Sequence, residues 1–489
     1  MRLFWTAGAT CLFTLAVVSM ASPLVRPAIA AEPSAGSRPD ILFLFADDFT
    51  YEAVRAFGHT DVETPNLDRL AARGTTFSHA YNMGSWSGAV CVASRTMLIT
   101  GRSVWDANRI YQTTDAEREA GVLWPQLMSN AGYRTFMTGK WHIRTDAAKC
   151  FDVARHVRPG MPKDTPSAYS RPPAEGEDPW SPTDRSLGGF WEGGKHWSEV
   201  TADDAIDFVD DAATSEQPAF FYIAFNAPHD PRQSPQSFLD RYPVERIALP
   251  EPFLPEYPYA EAIGAGRGLR DEKLAPFPRT ERAVKVHRRE YYALITHLDA
   301  QIGRILDALE ASGKADSTWI FFTADHGLAV GHHGLLGKQN AYDHSTRVPF
   351  IVTGPGVNSG VTDPTPIYLQ DVMATSLDLA DAERPDHVFY TSLLPRLAAE
   401  PAAAPPPPYA AIYGSYLDRQ RSITHDGWKL IVYPKASAMR LYHLADDPQE
   451  TVDLASRPEH ATRLRSLLAR LTALQLELGD TVELTAVSP

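Results

Sequence analysis

Five short apolar runs, at residues 41–46, 134–138, 219–225, 318–324 and 348–353, set the narrowest limit on what this chain can fold into. Each is bounded by turn residues and separated from the next by helical stretches, as buried strands of a parallel sheet are. The clearest helical stretch, 289–312, spaces Leu294, Leu298, Ile302, Ile305, Leu306 and Leu309 three to four apart and leaves Gly313 at its C-terminal end. The expected architecture is α/β, with a large mixed, mostly parallel sheet flanked by helices.

Residues 401–408, PAAAPPPP, suit neither helix nor sheet interior and read as an extended connector. Beyond it, residues 409–413, 421–425, 428–433 and 440–443 are strand-like, with a turn at Asp426-Gly427, and a helix is expected over about 459–478. The chain therefore divides into a main domain at 31–400 and a small C-terminal antiparallel α+β subdomain at 409–489. Two stretches rich in Pro, Gly and Trp, 155–197 and 250–279, lack periodicity and are expected as surface loops. Trp180, Trp191 and Trp197 could there stack on sugar faces or pack the loop's own small core.

Residues 1–30 carry Arg2, an apolar run at 11–18 and Ala28-Ile29-Ala30 before Ala31, the pattern of a secretory signal peptide with A-x-A cleavage. No other stretch is long and apolar enough to span a membrane, so an exported protein, periplasmic or secreted, is expected. Removing 1–30 takes Arg2 and Arg26 from the 46 basic residues, leaving 44 against 60 acidic ones, a net −16. That balance argues against nucleic acid as a partner, and it makes anion binding depend on a few local cations.

Asp47 and Asp48 directly follow the first apolar run, and Asp325-His326-Gly327 follows the fourth. Adjacent strand residues face opposite ways, so both aspartates can reach one ion only where the strand ends, which is where open α/β sheets place ligands. Three carboxylates and an oxygen from a further residue suit a hard divalent cation such as Ca²⁺.

Residues 91–101, CVASRTMLITG, resemble the motif C-x-(Pro or Ala)-Ser-Arg, followed by Thr-Gly, of the formylglycine-dependent sulfatases in the alkaline-phosphatase superfamily. The resemblance runs from about residue 39 to 454 and includes GKWHI at 139–143, NAPHDP at 226–231 and LLGKQNAY at 335–342. It implies an alkaline-phosphatase-like fold and hydrolysis of a sulfate ester, on a sulfated sugar or a related alkyl or aryl sulfate. Cys91 would be oxidised by a maturase to formylglycine, whose hydrate attacks sulfur with one hydroxyl and later expels sulfate with the other. Asp47, Asp48, residue 91, Asp325 and His326 would hold the metal. Lys140 and Lys338 would hold sulfate oxygens, His142 would bond the hydrate, His229 would protonate the leaving oxygen, and Arg95 would support the nucleophile.

That assignment gives Cys91 work other than a disulfide and leaves Cys150 a free, buried thiol. Ala93 stands where proline is commonest in the motif, which points to a radical-type maturase, and Arg144 stands where GKWH motifs often run into glycine. Two alternatives stay open: a phosphonate or phosphate ester hydrolase of the same superfamily, and a catalytically silent binding protein with unmodified Cys91. The sequence leaves oligomeric state and the particular ester undetermined.

Overall fold

The computed structural model describes residues 38–59, 61–161, 165–187, 190–398 and 405–484. The expected signal peptide and residues 401–404 of the expected connector lie outside them. From Arg38 onward the chain forms one compact unit.

Among the described residues the larger sheet has eight strands: β1 (Asp40–Ala46), β2 (Thr75–Phe77), β3 (Arg134–Lys140), β4 (Val153–Arg158), β5 (Ala219–Ala224), β6 (Thr318–Ala324), β7 (Phe350–Thr353) and β8 (Val361–Asp363). They lie in the order β8-β2-β7-β6-β1-β5-β3-β4. The block β6-β1-β5-β3-β4 is parallel throughout. Every residue of β1, β5 and β6 is buried, as continuous apolar runs covered on both faces must be. The fold class is the mixed, mostly parallel α/β architecture anticipated.

The fifth apolar run departs from the expected parallel direction, because β7 pairs antiparallel with both β6 and β2. A parallel return needs a crossover of a dozen residues or more, usually helical. Residues 325–349 lie between β6 and β7 and hold no helix longer than the four-residue Asp343–Thr346, so no helical crossover carries the chain back, and β7 runs alongside β6 reversed.

Five helices matter for the site and its support: α1 (Pro65–Arg73), α2 (Val90–Thr100), α3 (Trp197–Ala213), α4 (Glu281–Ala311) and α5 (Ala461–Leu478). Helix α4 starts eight residues before the expected 289, where Thr280 caps it by accepting from the Ala283 N–H at 3.1 Å. The added turns bury Val284, His287 and Arg288, so polar side chains carry an inward face that apolar periodicity cannot reveal.

From the middle of α4, buried Asp299 accepts from the backbone N–H groups of Asn66 and Leu67, the latter at 2.8 Å, and from Asn66 Nδ2 at 2.9 Å. This carboxylate satisfies the free first turn of α1 from a distant element. Asp299→Ala is expected to destabilise the protein by about 1–3 kcal/mol, read as a lowered denaturation midpoint.

The second sheet contains β9 (Ile412–Tyr416), β10 (Gln420–His425), β11 (Trp428–Tyr433) and β12 (Ala438–His443), paired antiparallel in sequence order. The turn at Asp426-Gly427 has φ of 51° and 74°, and positive φ at both positions is what a two-residue hairpin turn requires. Leu464, Leu467 and Leu471 of α5 join Ile423, Leu430 and Val432 in one apolar cluster. The short strand Gly84–Ser85 adds to this sheet parallel to β9, so the segment leading to Cys91 is fastened to the C-terminal part of the chain.

Candidate active site

Neighbouring parallel strands deliver their next residues to one edge. Asp47 and Asp48 follow β1, Asp325 follows β6, Lys140 ends β3 and His229 lies five residues past β5. Asp48 has φ of 65°, a left-handed turn that breaks strand alternation at the residue where both aspartates must face one point. Gly139 has φ of 91°, and a Cβ there would lie 1.8 Å from the Ala224 carbonyl oxygen. Only glycine lets β3 lie this close to β5 while it bulges against β4 immediately before Lys140, which explains the first letter of GKWH.

Cys91 sits in the first turn of α2, which begins at Val90 and so includes the cysteine rather than starting behind it. Its thiol donates to Asp47 Oδ1 at 3.2 Å and lies 3.7 Å from Asp48 Oδ1, while Lys338 Nζ approaches the sulfur at 3.1 Å. Burial, then the charges of Asp325 and Asp47, push the thiol well above its ordinary range. Cys150 is also free and buried, its Sγ 3.3 Å from the Asp146 carbonyl.

Three buried cations face three buried carboxylates. Lys140 pairs with Asp47, and Lys338 reaches both oxygens of Asp48 at 2.5 and 2.6 Å. Arg95 donates from Nε to Asp325 Oδ2 at 2.9 Å and from Nη1 to the Lys140 carbonyl at 2.8 Å, with Nη2 3.8 Å from Asp47 Oδ1. One guanidinium thus ties together the ends of β6, β3 and β1. Burial alone would raise Asp325, but Arg95, Lys140 and Lys338 overcome it and hold this carboxyl far below the usual range.

His229 lies with Nδ1 2.7 Å from the Asp230 carbonyl, which fixes its N–H there, and with Nε2 3.6 Å from Asp48 Oδ2. Burial and then Lys338 and Lys140 hold it neutral. His142, with φ of 56°, has a buried Nδ1 without a partner among the described residues. Burial, Lys140 and Arg95 push its pKa down to about 3.

The donor set fits a hard divalent cation. Ligand atoms of Asp47, Asp48, Cys91 and Asp325 lie within 4.8 Å of one another, all buried. Burial pushes Asp48 up to about 8, against the pull of Lys338 and with the push of Asp47 and Asp325. Buried carboxylates crowded to this degree call for positive charge among them. His326 falls outside that group, with Nδ1 3.2 Å from the Gly327 carbonyl.

The sequence reading missed the supports of this edge. Glu272 accepts from the backbone N–H groups of Leu336 and Gly337 at 2.9 and 2.8 Å and pairs with Arg279, which holds the turn that carries Lys338. Gln339 donates from Nε2 to the Gly88 carbonyl at 3.2 Å and to Asp271 Oδ2 at 2.8 Å. These residues lie in aperiodic loops and show no local signal. Glu272→Ala is expected to lower kcat/KM about tenfold to a hundredfold by loosening Lys338, with the same loss on every sulfate ester tested.

Trp180, Trp191 and Trp197 pack within their own loop: Arg171 lies over Trp180, Arg185 over Trp191, and Arg158 over Trp197 at 3.9 Å. A cavity of about 580 Å³ lined by His79, Arg347, Tyr409 and His425 includes none of the residues at this carboxyl edge.

Carboxylates and buried lysines at the carboxyl edge of a mixed α/β sheet define an alkaline-phosphatase-like hydrolase. A phosphonate monoester hydrolase from Silicibacter pomeroyi has the same fold, with a TM-score of 0.70 at 20% identity over 91% of this chain and 96% of that one. The sulfatase family profile matches residues 39–382, and that of the N-sulphoglucosamine sulphohydrolase C-terminal region matches 331–477. The chain belongs to the sulfatase family, hydrolases of sulfuric esters. It is 27% identical to an arylsulfatase of Clostridium perfringens, across 90% of this chain and 95% of that protein. It is 26% identical to an N-acetylglucosamine-6-O-sulfatase of Bacteroides thetaiotaomicron, across 96% and 91%.

Proposed function

We propose that this sulfatase cleaves a sulfate ester carried by a sugar, using Cys91 after its conversion to formylglycine together with a bound divalent cation, Ca²⁺ by the oxygen-rich character of its donors. The observation that carries the mechanism is the setting of residue 91. Its side chain lies among Asp47, Asp48 and Lys338, where a hydroxylated replacement would meet two carboxylates and an ammonium together. The sugar rests on the N-acetylglucosamine-6-O-sulfatase relative.

Held by Asp47, Asp48, Asp325 and residue 91, with His326 joining through Nε2, the cation would polarise a sulfate oxygen. The hydrated aldehyde would offer two hydroxyls on one carbon, one for attack and one for later release of sulfate. Lys140 and Lys338, freed from Asp47 and Asp48, would hold sulfate oxygens as charge builds on them. His142 would bond the hydrate through its unpartnered Nδ1. His229 would deliver a proton from Nε2 to the departing oxygen, its charged form favoured once an anionic ester lies beside it. Arg95 would keep the three strand ends in register around residue 91.

We also read residues 1–30 as a removable export signal, 31–400 as the catalytic domain and 409–489 as a subdomain behind the 401–408 connector. Among the described residues no helix is long and apolar enough to cross a membrane.

The test is a parallel assay, on protein co-expressed with a maturase, of 4-nitrophenyl sulfate, 4-nitrophenyl phosphate, a phosphonate monoester and a panel of sulfated monosaccharides. Sulfated sugars are expected to be turned over best. A phosphonate or phosphate preference, the reading to which the Silicibacter pomeroyi fold likeness lends weight, would replace the sulfate assignment. Chelation of the ion is expected to lower activity about a hundredfold or more, with recovery on adding Ca²⁺.

A further inference from the structure

A groove of about 500 Å³ opens beside the segment that leads into Cys91, lined by Trp86, Trp105, Asn108, Arg109, Asp418 and Arg419 among others. Trp86 stands five residues before Cys91, on the stretch whose Gly88 carbonyl accepts from Gln339, the neighbour of Lys338. Arg144, two residues past His142, lies with Cζ 5.9 Å from the Tyr111 ring, and Tyr111 in turn lies 5.9 Å from Trp86. The residue that departs from the usual GKWH-Gly pattern therefore begins a path of side chains leading from the candidate site to the groove.

We infer that this groove is a subsite for the sugar unit adjoining the sulfated one, and that it selects an anionic glycan chain over a lone sugar. The inference rests on the sugar-sulfate reading above. Sugars are bound by flat apolar faces with hydrogen-bonding groups around them, and the groove offers both. Trp105 is fixed for such contact: its Nε1 donates to Tyr413 Oη at 3.0 Å, and Arg421 lies 4.9 Å from its ring. Arg421 is locked in turn by Asp480 at 2.6 and 2.8 Å, so the platform rests on a buried ion pair. Trp86 is partly exposed where it lines the groove, with its ring packed 5.9 Å from that of Tyr111.

The charge pattern identifies the chain as anionic. The protein carries a formal −14, which repels a polyanion at long range, so local cations must compensate. Arg109 pairs with Asp106 yet keeps 59% of its side chain exposed, and Arg419, next to Asp418, is positioned by the carbonyls of Glu261 and Ala262 at 3.2 and 3.3 Å. Carboxylates or further sulfates on the neighbouring sugar would face these two guanidiniums.

The test compares the sulfated monosaccharide turned over best in the panel with an anionic hexasaccharide that ends in it. Wild-type enzyme is expected to prefer the hexasaccharide. Trp86→Ala should lower kcat/KM on the hexasaccharide about tenfold, mainly through KM, and leave the monosaccharide within about twofold. The double variant Arg109→Ala/Arg419→Ala, outside the segment that carries Cys91, should lose the same preference and flatten its dependence on salt. Equal turnover of both substrates by wild type, or a double variant that keeps the preference, overturns the inference even if Trp86→Ala is broadly damaged. An enzyme that cleaves 4-nitrophenyl sulfate but no sugar sulfate refutes the underlying reading instead.

Discussion

Cys91→Ala is expected to lower kcat by about four orders of magnitude or more while leaving the fold intact. The expectation follows from the crowding around one side chain. Cys91 Sγ meets Asp47, Asp48 and Lys338 within 3.7 Å. Alanine removes one buried sulfur from the start of a helix whose remaining contacts persist, so the free energy of unfolding should change by no more than about 1 kcal/mol.

The companion measurement is mass spectrometry of the tryptic peptide spanning residues 74–95 from active protein. Formylglycine at position 91 is the expected finding. Full activity in protein whose residue 91 is entirely cysteine would sink the proposed chemistry, which needs the aldehyde. Inactive, unmodified protein from the native host would favour the silent binding reading.

Arg95→Ala is expected to cost about 3–5 kcal/mol of stability as well as activity. Arg95 is wholly buried and spends its guanidinium on Asp325, the Lys140 carbonyl and Asp47, with Phe45 beneath it at 4.7 Å. Removing it leaves two carboxylates without this counter-charge and unties three strand ends together. Arg95→Lys should recover only part of the loss, because one ammonium cannot fork to a carboxylate and a carbonyl on different strands. Chemical denaturation of both variants decides the matter. A denaturation midpoint for Arg95→Ala equal to wild type would show that the buried charges are balanced some other way. The two variants thus separate chemistry from scaffolding within one helix, α2.

The parallel core of the fold was legible because β1, β5 and β6 are continuous apolar runs, and a strand covered on both faces has no other pattern available. Antiparallel β7 was not, since residues 325–349, which link it to β6, form turns at the site instead of a crossover helix. The missed first turns of α4 bury His287 and Arg288, polar residues that hydropathy counts as surface. For the site, residues adjacent to strand ends or inside dense motifs could be named from sequence, as with Asp47, Asp48, Cys91, Lys140, His229, Asp325 and Lys338. Glu272 and Gln339 could not, because they act through backbone groups and loops far along the chain.

The sequence by itself determined which residue types could meet at the carboxyl edge of the sheet, because strand-then-turn order places whatever follows each buried run at that edge. Only the tertiary structure decided how those residues are held. Arg95 joins three strand ends, Lys140 and Lys338 neutralise separate aspartates, and His326 stands apart from the close carboxylate group. Such pairings span tens to hundreds of residues. They are selected by burial and charge in space, and no local pattern in the chain encodes them.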